Sequence, residues 1–91
     1  MAAISVEKSA VEKSILLCER TIQQYRQIAA HLERQYRAAG SSWNDVKYRQ
    51  LGNVVHDCTG ALTRPLSELE ECLGRLRELL KAIERYENEN L

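Results

Sequence analysis

Two long runs of apolar residues, spaced alternately by three and four, constrain what this chain can fold into. In the first run Ile15, Cys18, Ile22, Tyr25, Ala29, Leu32, Tyr36 and Ala39 follow one another in that rhythm. Val11 and Ile4 extend it backward past a single break at Lys8. In the second run Tyr48, Leu51, Val55, Cys58, Leu62, Pro65, Leu69, Cys72, Leu76, Leu79, Ile83 and Tyr86 keep the same rhythm. This spacing is the seam of helices packed at a shallow angle, with polar residues filling the other faces. Ninety-one residues leave room for one small core. The expectation is an all-α antiparallel helical hairpin forming a single domain over 1–91. Its first helix covers about 5–38, its turn 39–43 and its second helix about 43–87.

The punctuation between the runs is "AAGSSWNDVKY". Gly40 can take the left-handed conformation that stops a helix. Ser42 is an N-cap residue, with Asp45 three positions on in an approximate capping box. A connection this short forces the helices back on each other. A hairpin turning near residues 41–42 sets Cys18 opposite Pro65.

The second helix carries its own weak point. Gly60 costs about 1 kcal/mol against alanine, and Pro65 removes a backbone donor and crowds the preceding turn. Two readings follow: a continuous helix kinked near Pro65, or a break that makes three helices. The heptad phase passes through Pro65 without a slip, which favours the kink. From Leu62 onward a second stripe, Leu66, Leu73 and Leu80, runs beside the first. A wider stripe is what a helix shows when it meets more than one neighbour, so this half is expected to pack on another chain in a four-helix bundle dimer.

Charge and residue chemistry exclude several function classes. Thirteen basic and thirteen acidic residues balance to zero, so no strong field recruits nucleic acid or an anionic membrane. No apolar run reaches the roughly 18 residues of a membrane span. The start has no basic segment followed by an apolar one, so synthesis in the cytoplasm is expected, and any export would proceed without a cleavable signal peptide. Cys18, Cys58 and Cys72 read as small buried hydrophobes, since their odd count and spacing suit neither a disulfide frame nor a metal site. His31 and His56 fall on polar faces, and Glu68 to Glu71 fan around an outer face with Glu71 four residues before Arg75. Tyr25, Tyr36, Tyr48 and Tyr86 read as seam residues with their hydroxyls at the rim. No nucleophile–base pair and no phosphate loop is evident, so no enzymatic activity, cofactor, metal or small-molecule substrate is expected.

A helical hairpin of this length with one tryptophan at its turn resembles the WXG family of small type VII secretion proteins. That family carries Trp-x-Gly at the turn; here the turn reads Trp43-Asn44-Asp45, which looks like a divergent W-x-D branch associated with LXG-type toxins. The resemblance implies a homodimer or heterodimer with another helical protein, such as the N-terminal domain of an LXG-type effector. It implies a role as secreted substrate, targeting partner or chaperone. The partner-binding set is then Trp43, Leu62, Leu66, Leu69, Leu73, Leu76, Leu80 and Ile83. The family's export signal is Tyr-x-x-x-Asp/Glu, and here Tyr86 is followed by Asn90, so the resemblance implies that a partner supplies the missing acid. Two other readings remain open from the residues alone: a cytosolic helical co-chaperone or adaptor of another export system, and a purely structural coiled coil.

Overall fold

The computed structural model describes residues 2–43 and 45–89, with side chains from Val6 onward. The described residues are helical apart from two turns. The first helix, α1, spans Ala2–Gly40; α2 spans Val46–Thr63; α3 spans Leu66–Glu89. The all-α helical hairpin is therefore present, and the described residues contain no strand. The chain divides into two compact units. One holds Met1–Ile22 with Ser67–Leu91, and the other holds Gln23–Leu66.

Each unit is an antiparallel helix pair built on the seam. In α1 the expected positions hold: Ile15, Ile22 and Ala29 are buried, and Val11, Cys18, Tyr25, Leu32, Tyr36 and Ala39 are half-buried. In α2 and α3 eight of the twelve expected seam positions hold. Tyr48, Leu51, Leu62, Pro65, Leu69, Leu76 and Ile83 are half-buried and Val55 is buried. At the other four the inward position shifts by one residue. Gly52, Thr59, Leu66, Leu73, Leu80 and Glu87 turn inward, while Cys58, Cys72, Leu79 and Tyr86 are exposed. Leu73 is 8% exposed and Leu79 49%. The expected second stripe is thus the inward half of a single seam. Leu66, Leu73 and Leu80 lie toward α1's side of their helix, and the residues just before them lie at its edge.

The break at Lys8 now has a cause. Lys8 is half-buried and its Nζ lies 3.6 Å from Oε2 of Glu87, the last inward position of α3. One layer of the seam is therefore an ion pair. Its net energy is small, within about 1 kcal/mol. A polar layer does fix register, because any slip would set one charge against apolar neighbours. Further along the same unit the Cys18 thiol donates to the carbonyl oxygen of Leu69 at 3.4 Å. Leu69, rather than the expected Pro65, is the residue facing Cys18. The pairing is offset by one helical turn because the hairpin turns near Trp43 and not at residues 41–42.

The turn itself is capped differently from the sequence expectation. Gly40 is the last residue of α1, and no glycine among the described residues has positive φ. Ser41 and Ser42 stay tied to α1: their N–H groups donate to Ala38 O and Ala39 O, each at 3.3 Å, and the Ser41 hydroxyl donates to Ala38 O at 2.8 Å. Ser42 is therefore not available to start α2. Asp45 does so, with an extended backbone and its Oδ1 accepting from Tyr48 N at 3.1 Å. Aspartate there also sets a negative charge at the positive end of α2.

At Arg64 and Pro65 the helical ladder is interrupted without opening into a loop. Arg64 keeps right-handed helical dihedrals, and its N–H donates to Gly60 O at 2.9 Å. Pro65 has no N–H to follow it. The Thr59 and Thr63 hydroxyls donate back to His56 O and Thr59 O, at 3.0 and 2.8 Å, a bonding mode that accompanies bent helices.

The seam assignment separates two neighbouring leucines. Leu73→Ala is expected to destabilise the chain by about 2–5 kcal/mol, and Leu79→Ala by less than about 1 kcal/mol. Urea unfolding of the two variants checks this. Equal losses would contradict the inward register.

Candidate functional site

The turn end of the hairpin carries an aromatic cluster built from three helix-geometry constraints. Tyr36 on α1 and Tyr48 on α2 stack with ring centroids 4.4 Å apart and planes 7° from parallel. The Tyr48 hydroxyl donates to Tyr36 O at 3.1 Å, so one side chain clamps the other residue's backbone. Two glycines make room for the stack. A Cβ on Gly52 would lie 2.6 Å from the Tyr36 hydroxyl oxygen, and one on Gly40 would collide with the Tyr48 hydroxyl. Gly40 is therefore needed for close approach of a ring, not for a left-handed backbone.

Trp43 leans on this platform. Its ring centroid lies 6.0 Å from that of Tyr48, with planes tilted by 57°. A tilted contact of this kind seats one side of the indole on Tyr48 and leaves it 40% exposed. The platform also perturbs Tyr48: packing, and then the hydrogen bond and charge of Tyr36, hold its phenol above the ordinary tyrosine value.

The other residues of the expected partner-binding set lie elsewhere. Leu66, Leu69, Leu73, Leu76, Leu80 and Ile83 line the inward face of α3, and Leu62 that of α2. Leu73 is already buried by its own chain; the rest are half-buried and have area left to lose. Tyr86 is 51% exposed and not in the core. Asn90 lies outside the described residues. The expected set is thus two groups, a turn-end aromatic and a leucine seam, and only Trp43 presents a large open face. The glycine–tyrosine contacts went unread in the sequence, although Gly40–Tyr48 and Tyr36–Gly52 fit an antiparallel pairing about a turn near Trp43.

Among the described residues no group of three or more His, Cys, Asp or Glu side chains is placed to hold a metal ion. His31 and His56 are exposed, as expected; Glu71 and Arg75 form their expected pair at 3.4 Å, and Glu33 and Arg37 form another at 3.6 Å. The three thiols are free: Cys18 is half-buried, while Cys58 and Cys72 are exposed and not the buried hydrophobes expected. No described helix is long and apolar enough to cross a membrane. The chain matches no protein-family model, no curated protein and no solved structure.

Glycine substitutions test the platform. Gly74 has open space around its Cβ position, so Gly74→Ala is expected to stabilise by about 0.5–1 kcal/mol through helix propensity alone. Gly52→Ala gains the same propensity but must push Tyr36 off its stack, and is expected to destabilise by about 1 kcal/mol net. Thermal melting with the near-ultraviolet signal of the aromatics reads both. A stabilised Gly52→Ala with an unchanged aromatic signal would contradict the close packing.

Proposed function

We propose that this chain is a non-enzymatic interaction module of the WXG-like kind. Its hairpin packs against the helices of another protein, and it serves a type VII secretion system as substrate or as targeting partner of a larger effector. The observation that carries this reading is Trp43, held on the Tyr36–Tyr48 stack at the hairpin end and still 40% exposed. A tryptophan needed only to cap a core would be covered by that core. An open tryptophan is the residue type most often found at the centre of binding energy in protein interfaces. The half-buried leucine seam supports the same reading, since it leaves apolar area for a partner's helices.

The Tyr86–Asn90 pair bears on which role applies. The family signal needs an acid where Asn90 stands, so a targeting partner that relies on a second protein's signal fits better than an autonomous substrate. Without a secretion system the same surface would suit a cytosolic adaptor.

Trp43→Ala separates these readings from a structural coiled coil. The chain is co-expressed with the products of adjacent genes, and both complex formation and extracellular partner are measured. Trp43→Ala is expected to weaken the complex by about 10–100-fold and to lower partner export, with helicity retained. Full complex formation and export by Trp43→Ala would overturn the proposal.

A further inference from the structure

We propose that the turn end of the hairpin is a docking surface for an acidic polypeptide segment. The segment seats an apolar side chain against Trp43 and Val46 and sets its carboxylates among Arg34, Lys47 and Arg49. The inference rests on the reading of Trp43 as an interaction residue and names the chemistry of what it meets.

The zero net charge of the chain conceals a separation of charge. The Gln23–Leu66 unit holds six basic and three acidic residues, a formal charge of +3. The Met1–Ile22/Ser67–Leu91 unit holds seven basic and ten acidic residues, a formal charge of −3. The carboxylates of the turn end are already engaged. Glu33 pairs with Arg37 at 3.6 Å, and Asp45 accepts from Tyr48 N at 3.1 Å to cap α2. Among the described residues Arg34, Lys47 and Arg49 have no carboxylate within ion-pair distance, and all three are exposed. Helical spacing sets Arg34 on the outer face of α1, and Lys47 and Arg49 on opposite sides of α2. The positive field therefore surrounds the turn and does not line one face.

Charge complementarity identifies the occupant. Trp43 and Val46 stand at the turn with 40% and 59% of their surface in water, an apolar tip within a ring of cations. In such an arrangement the tip supplies the binding energy, and the cations raise the rate of encounter and reject basic partners. An anionic bilayer shares the sign of an acidic polypeptide but suits this tip less well. Asp45 is exposed between Trp43 and Val46 in the chain and would meet anionic headgroups with like charge. Two apolar side chains also fall short of the broad apolar face by which a helix lies in a membrane interface. A polypeptide can place its carboxylates beside the three cations and away from Asp45, a selection that a uniformly anionic surface cannot make.

Trp43 is the chain's only tryptophan, so its fluorescence reports on the turn alone. The full chain is titrated with two designed peptides that share one leucine pattern, one with glutamate and the other with lysine at every polar position. It is also titrated with phosphatidylcholine vesicles with and without phosphatidylserine. The glutamate peptide is expected to shift Trp43 emission to the blue and to bind at least about tenfold tighter than the lysine peptide by that readout, an advantage that shrinks as salt rises. Lys47→Glu combined with Arg49→Glu is expected to weaken this binding at least about tenfold. Lys81→Glu combined with Arg85→Glu makes the same change of charge on exposed positions of α3 and is expected to alter it less than about twofold. Glutamate in the first turn of α2 suits the helix dipole, and circular dichroism checks that helicity is retained. Equal binding of the two peptides, no response to the glutamate peptide at about 100 µM, or equal losses in the two double variants would overturn the proposal. So would tighter binding to phosphatidylserine vesicles than to the glutamate peptide. If the proposal fails while complex formation with an adjacent gene product still requires Trp43, the interaction reading stands without it.

Discussion

The structure depends on a seam with only two inward residues per heptad. Two helices meeting along such a line cover each inward side chain from one side and leave the other open. Among the described residues only Ile15, Ile22, Ala29, Val55 and Leu73 are buried, and no large side chain is fully enclosed. Specificity therefore comes from features other than apolar volume. The Lys8–Glu87 layer, the Cys18 thiol on Leu69 O and the Tyr48 hydroxyl on Tyr36 O each tie one helix to the other at a defined level. Each is weak in energy and strict in geometry, as befits a narrow interface that would otherwise slide.

How much of this was legible in the sequence depended on whether periodicity alone could decide. It could for α1, where no apolar neighbour competes beside Ile22, Tyr25 or Tyr36. It could not for α3, where Cys72–Leu73 and Leu79–Leu80 are adjacent apolar pairs and two phases fit equally well. Packing against α1 chose the leucines. One polar clue was present: the break at Lys8 needs an acid across the seam, and Glu87 supplies it only in the observed phase. At the turn, Ser42 and Asp45 are both good caps. Asp45 prevailed because α1 runs on to Gly40 and keeps both serines in its last turn. Gly40 followed from steric fit to Tyr48, which no single-residue propensity contains.

The same narrowness links fold to function. A hairpin that cannot finish its own core is suited to having it finished by another chain. The turn end adds a separate element, a tryptophan resting on Tyr48, whose stack with Tyr36 is admitted by two glycines.

That the hairpin relies on a second chain for burial is tested most directly by thermal unfolding of the unmodified protein over a hundredfold range of concentration. If dissociation accompanies unfolding, Tm is expected to rise by about 7 °C across that range. A Tm that does not move, with a single cooperative transition at every concentration, both alone and with the products of adjacent genes, would contradict the account.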